Sequence, residues 1–222
     1  NRLLILLAVL AMSLAIEPPV YNYSYKINFD ESFIQNKTTF RVNGQFIYDP
    51  ANNRERVDRT NGRYDLFCGS VLPNQTTPCN QIVVDSKRWL VFPAKSSCCF
   101  CCDASHGCGI LRPDWLNGAE YLGQEKLIDT LYNKWSKPGT HQTIQIFGYN
   151  YFWTTTDENQ IPRKLDENGD HLSDFNTHSF HNQTVPFPDG TFALPSYCNV
   201  DEPSNCPIQT ACGEFRSRAK TA

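Results

Sequence analysis

Apolar and polar positions alternate over short runs along most of this chain, and runs of that kind predict β-strands with one buried face. After a Tyr-rich lead-in, Thr38 to Asp49 alternates with Phe40, Val42, Phe46 and Tyr48 on one face and predicts a half-buried strand. Pro50-Ala-Asn-Asn53 supplies turn chemistry, and Arg54 to Arg59 returns along that strand as a polar, exposed partner. Asn61-Gly62 marks a further turn, and Pro73 to Pro78 reads as a loop leading to Cys79. Gln81 to Val84 and Arg88 to Phe92 form a hairpin around Asp85-Ser86, which Pro93 ends. The cysteine-rich stretch that follows is poor in residues that would continue a regular element.

Glu125 to Ser136 is two-sided: Leu127, Ile128, Leu131, Tyr132 and Trp135 fall at helical spacing, whereas Asp129-Thr130 reads equally as a hairpin turn. Thr143 to Thr156 is the strongest β signal, rich in aromatic and β-branched residues, with Phe147, Tyr149, Tyr151 and Trp153 on one face. Asp157 to Asn159 turns the chain, Ile161 to Leu165 returns, Asp166 to Asp170 turns again, and Asp174 to His181 is the next strand. The pattern is an antiparallel meander. From Pro186 on, five prolines and the last three cysteines predict an extended tail held by bridges, neither helix nor sheet strand. The fold class that follows is mainly β, one twisted antiparallel sheet or a partly closed barrel.

The first residues change the picture of where this fold works. Asn1-Arg2 followed by the apolar run Leu3 to Ala15 matches a secretory signal peptide over residues 1–15, too short to span a bilayer, and leaves 16–222 as a single domain. Four Asn-x-Ser/Thr sequons, at Asn22, Asn36, Asn74 and Asn182, fit a secreted glycoprotein, and so does an even count of ten cysteines. The formal net charge of −3, without a basic face, argues against nucleic acid as a partner.

Five of the ten cysteines fall between Phe92 and Trp115, at Cys98, Cys99, Cys101, Cys102 and Cys108. The overlapping Cys-x-x-Cys pairs, with His106 nearby, have the spacing of a tetrahedral zinc site. In an oxidising compartment the same thiols pair, so the expectation is a disulfide knot in which these five, Cys68, Cys79, Cys198, Cys206 and Cys212 make five bridges whose connectivity the spacing leaves open. Such a knot would staple a long loop to the sheet and the tail.

Gly44-Gln-Phe-Ile-Tyr-Asp49 followed by Asn53-Arg-Glu-Arg-Val-Asp-Arg59 resembles the signature of the ependymin-related family. The Trp153 to Leu165 hairpin and Phe192-Ala-Leu-Pro-Ser-Tyr-Cys198 are similar to further motifs of that family. The resemblance implies two stacked antiparallel sheets curved into a half-open barrel, like bacterial lipoprotein carriers, with a deep apolar pocket for a lipid or another hydrophobic molecule. It also implies secreted (extracellular) or lysosomal glycoproteins, calcium association and homodimers, and it favours strands over a helix at Glu125 to Ser136. The dense Cys98 to Cys108 cluster departs from vertebrate members and looks more like protist ones.

Enzymatic chemistry has little to stand on. A Cys/His pair would need an unpaired thiolate beside a base such as His106 or His141, and Ser70 and Ser105 lack a nucleophile-elbow context. Asp166, Asn168, Asp170 and Asp174 offer oxygen ligands at alternate positions, as a calcium loop would, although His171 stands where an EF-hand requires Gly and Thr177 where it requires Glu. Phe46, Tyr48, Trp89, Phe92, Trp115, Trp135, Phe147, Tyr149, Tyr151 and Trp153 are the candidate lining of the ligand pocket. The expected function is non-enzymatic shelter of a hydrophobic ligand, needing no cofactor beyond that calcium. The alternative is a disulfide-rich extracellular structural or adhesion protein whose aromatics are core.

Overall fold

The computed structural model describes residues 16–35, 37–138, 149–167 and 171–218. The signal-peptide reading of residues 1–15, the sequon at Asn36, and Phe147, Asn168 and Asp170 fall outside them.

Twelve strands form one antiparallel sheet: β1 (Tyr25–Gln35), β2 (Thr38–Asp49), β3 (Arg54–Arg59), β4 (Cys79–Val84), β5 (Lys87–Phe92), β6 (Ser97–Asp103), β7 (Glu120–Leu127), β8 (Thr130–Pro138), β9 (Tyr149–Thr154), β10 (Pro162–Glu167), β11 (His171–Phe175) and the short β12 (His181–Asn182). Hydrogen bonding runs unbroken in the order β6-β5-β4-β3-β2-β1-β11-β10-β9-β8-β7, with β12 on β1. The sheet is open, with β6 and β7 as its two edges, so the fold is mainly β, antiparallel and disulfide-rich, as expected. Two short helices, α1 (Leu66–Val71) and α2 (Ala211–Ser217), complete it.

Register assigns side chains to faces, because neighbours opposite each other point the same way and successive residues alternate. On the inner face stand Tyr25, Ile27, Phe29, Glu31 and Phe33 of β1, aligned with Tyr48, Phe46, Gly44, Val42 and Phe40 of β2. Glycine is required at position 44, where a Cβ would lie 2.2 Å from the Phe29 ring. One end of this face holds Tyr21, Tyr25, Ile27, Tyr48, Leu116, Trp135 and Phe152 in one buried cluster, closed by the lead-in and the loop around Trp115. Tyr21 and Tyr48 place their hydroxyls on backbone carbonyls of Gln160 and Leu111, at 2.8 and 2.6 Å. Burial pushes both phenols upward, so they are neutral donors there.

The cysteine stretch is β6, an edge strand and not the irregular loop expected. Alternation explains its bridges. Cys98, opposite Val91, lies on the outer face and bonds Cys198, whereas Cys99, opposite Leu90, lies on the inner face and bonds Cys206. A register shift between Arg88 and Trp89 then turns both Cys101 and Cys102 inward, to Cys212 and Cys108. With Cys68–Cys79 this makes five bridges, and no described cysteine is free. The Sγ atoms of Cys101, Cys102 and Cys108 lie within 4.8 Å of one another, but as disulfides they are not thiolates and do not form a zinc site.

The tail therefore wraps around the β6 edge. It is stapled on the outer face at Cys198 and pairs in parallel at Asn205 beside Phe100. It then returns to the inner face at Cys206 and Cys212 and ends in α2, a correction to the expectation of a helix-free tail. The six and seven residues of α1 and α2 are too short to show a periodic pattern, and packing against Cys101 and Cys212 holds them. Pairing of Leu127 with Thr130 settles Glu125 to Ser136 as a hairpin. The expected strand Asp174 to His181 begins at His171 and breaks at a single helical turn over Thr177–Ser179.

Candidate functional site

β3 is central and not exposed: Glu55 and Val57 are buried, and Arg59 keeps 10% of its side-chain exposure. Its two inward charges anchor a polar chain across the inner face. Arg59 donates to both carboxylate oxygens of Glu31, at 2.7 and 2.8 Å, and its Nη1 stands 3.3 Å from Asp65. His171 Nε2 is 3.4 Å from Glu31 Oε1, the oxygen that also accepts from Arg59 Nη2, while its Nδ1 bonds Glu167. Asp65 caps α1 by accepting from the backbone N–H groups of Phe67 and Cys68, and it also accepts from Gln81. Gln81 in turn accepts from Arg88 at 2.6 Å, and Arg88 reaches Glu55, whose second oxygen takes the Leu111 N–H at 2.7 Å.

Electrostatics favour the charged forms of Glu31 and His171. Burial opposes the Glu31 charge, but Arg59 and His171 outweigh it and bring its pKa down to about 2. Burial likewise opposes charge on His171, and Glu167 and Glu31 outweigh it, raising its pKa to about 9. The raised pKa makes His171 a cationic partner to Glu31 and Glu167 at neutral pH.

Immediately beyond Glu31 lies an aromatic ledge. Phe33 stacks on the His171 ring with centroids 4.5 Å apart, Phe40 stacks on Tyr64 at 4.1 Å, and Phe33 and Tyr64 stand 6.0 Å apart. All four are half-buried, whereas Tyr21, Tyr25, Tyr48, Trp135 and Phe152 at the other end of this face are buried. Pairing of Phe33 with both Phe40 and His171 brings them together from three strands, and Tyr64 arrives from the turn after β3. The arrangement offers an apolar floor ending at fixed charges.

The residues expected to line one pocket do not converge. Phe46, Tyr48, Trp115 and Trp135 belong to the inner cluster, where Trp135 and Tyr48 are 0% and 1% exposed. Phe92 is buried in the disulfide cluster. Trp89 points to the outer face, packed with Ile82, Val91 and Cys198 under the tail. Tyr151 and Trp153 share the outer face with Lys134, whose Nζ is 4.9 Å from each ring, and Tyr149 is exposed near one sheet edge. The physical reason is that strand period sends a run's aromatics to one face, but different strands chose different faces.

Of the calcium candidates, Asp166 and Asp174 lie among the described residues. Asp166 and Asp174 are strand residues of a hairpin closed by the Glu167–His171 pair, opposite Leu172 and Lys164, and Arg163 engages Asp174 at 3.0 Å. The described part of the segment is a strand ladder. The sequon asparagines Asn22, Asn74 and Asn182 are exposed.

The sequence carried a signal for Glu31 and Arg59 that the strand reading passed over. Glu31 breaks the apolar alternation Tyr25, Ile27, Phe29, Phe33, and Arg59 sits in step with Val57. A charge in an apolar register calls for a buried partner. Tyr64 and His171 gave no such signal, because their neighbours come from distant strands.

A family model described as a domain of unknown function (DUF8395) matches residues 82–154, from β4 to β9. No curated protein matches the chain. Among solved structures, an uncharacterized conserved protein from Thermus thermophilus is similar at 10% identity and a TM-score of 0.45, covering 76% of this chain and 88% of its own. A LolA superfamily protein from Nitrosomonas europaea is similar at 11% identity and a TM-score of 0.39, covering 79% and 92%. A DUF1329 family protein from Desulfovibrio piger is similar at 10% identity and a TM-score of 0.35, covering 78% and 90%.

Proposed function

We propose that this protein is a secreted glycoprotein of the ependymin-related type that holds a hydrophobic ligand, by preference a lipid, against the inner face of its sheet. The observation that carries the reading is the ledge of Phe33, Phe40, Tyr64 and His171, four half-buried rings gathered beside the buried charges of the inner face. An acyl chain laid on it gains about 0.8 kcal/mol per buried CH₂, so a contact of a few methylenes contributes usefully to affinity with no specific polar contact. The fixed charges of Glu167 and His171 at its border suit an amphipathic molecule with its polar end outward. The aromatic set first expected to line the pocket does not enter this site.

The test is uptake of a fluorescent fatty acid by the purified protein, compared with Phe33→Asp. Saturable binding that the variant loses supports the reading, and absence of binding by the unaltered protein refutes it.

A second reading, a stapled extracellular scaffold without a ligand, draws on the packing of Trp135, Tyr48, Trp89, Phe92 and Trp153, all 3% exposed or less. Those rings are core. The two readings differ over the ledge alone, which the same uptake experiment addresses.

A further inference from the structure

The β7–β8 hairpin places Ile128 at its tip with φ of 58° and 87% exposure, and Leu131, just after the turn, is 51% exposed. A β-branched residue in the left-handed region is strained, and hairpin tips ordinarily place Gly, Asn or Asp there, residues that relieve the strain and face water without cost. Two unfavourable choices at one position, strain and apolar exposure, point to a role outside folding.

The tip overhangs a cleft of about 660 Å³ on the outer face, between the hairpin and strands β1, β2, β10 and β11. Four cations line it, Arg41, Lys126, Arg163 and Lys164, against two acids, Asp30 and Asp174. Both acids are engaged within the protein: Arg163 holds Asp174 at 3.0 Å, and Asp30 accepts from the Asn43 side-chain amide. Lys164 stands with its Nζ 4.9 Å from the Trp153 ring centroid. The one acid at the tip, Asp129, faces Lys126 at 3.4 Å. Counting Asp129, four cations stand against three acids beneath the apolar tip, an excess of one in a chain whose formal net charge is −3.

From this juxtaposition we infer that the β7–β8 hairpin and the cleft beneath it form a docking surface for a bilayer containing anionic phospholipid. Ile128 and Leu131 enter the interfacial region, and Arg41, Lys126 and Lys164 face the headgroup phosphates. The chemistry complements such a bilayer on both counts: apolar side chains bind by burial in the acyl boundary, and each nearby Lys or Arg adds attraction to the negative surface. The surface lies opposite the ledge and does not depend on it.

Cosedimentation with vesicles of phosphatidylcholine alone and of phosphatidylcholine with about 30% phosphatidylserine, an anionic leaflet in composition, tests the inference. The oxidised full chain is expected to partition to the anionic vesicles at least about tenfold more strongly than to the neutral ones. Ile128→Asn, which suits the left-handed tip, is expected to lose about tenfold of that binding while its melting temperature holds or rises, so lost binding is not lost folding. Arg41→Glu with Lys126→Glu is expected to erase the preference for anionic vesicles. Equal partition to both vesicle types, no partition to either, or full binding by the folded Ile128→Asn protein would each overturn the inference.

Discussion

Glu31 and Arg59 are the residues on which the inner face turns. Glu31 is buried and the Arg59 side chain keeps 10% exposure, each sits in an apolar register, and they pair with Asp65 and His171 across β1, β3, β11 and the start of α1. Removing one partner of such a pair strands the other's charge, which typically costs about 3–5 kcal/mol. Arg59→Met is therefore expected to cost that much in urea unfolding, leaving Glu31 and Asp65 opposed. Arg56→Met, whose exposed-side partner is Asp58, is expected to cost under about 1 kcal/mol. Acid and alkali should separate the two ends of the network. Glu31 falls from an ordinary 4.5 to about 2, so its contribution is present above 4.5 and is lost as pH falls toward 2. His171 rises from 6.5 to about 9, so its contribution is complete below 6.5 and is lost as pH rises through 9. Melting temperature against pH should show a plateau between 4.5 and 6.5, and His171→Gln should flatten the alkaline limb and only weaken the acid limb, because Arg59 still holds the Glu31 pKa down once His171 is gone. An unchanged alkaline limb in that variant would remove His171 from the network. Sequence alone exposed half of this: the misplaced charges at 31 and 59 can be read from alternation, but their mutual pairing follows from the register between strands.

At the scale of elements, the tail and β6 act as one unit. The three bridges from β6 to the tail span 100, 107 and 111 residues of sequence. A first bridge of that span contributes on the order of 4–5 kcal/mol in the chain-entropy model, and the next two add less because the ends already meet. Replacing Cys98 and Cys198 together by Ser is expected to cost about 2–4 kcal/mol, since two bridges still hold the tail, and to leave the outer side of β6 open to edge pairing and aggregation. Thiol titration of the denatured, unreduced protein should find no free thiol, and full reduction should lower the melting temperature and uncover the β6 edge. Most strands were legible because their alternation is a local property: β2, the β4–β5 hairpin and the β9–β10 return appear where the pattern places them. The misreadings share a cause. β6 looked irregular because a run made mostly of cysteine carries no contrast between apolar and polar positions, and β3 looked exposed because its buried side chains are charged. α1 and α2 are too short for periodicity, so packing under the disulfides decides them.

For the whole molecule, the sheet is covered unevenly, and function is argued from that unevenness. Tyr21, Leu116 and Trp135 close one end of the inner face, the disulfide cluster closes the β4–β6 end, and the Phe33–Phe40–Tyr64–His171 ledge remains half-buried. Alternation located the aromatic content but not its distribution between faces, because the choice of face depends on which strands become neighbours. The central claim is that the ledge holds a hydrophobic ligand. Native mass spectrometry of the oxidised protein, purified without delipidation, tests it most directly. The account predicts a bound adduct of lipid mass that organic extraction removes and that Phe33→Asp lacks while still folded; a bare polypeptide mass that no added fatty acid shifts would contradict it.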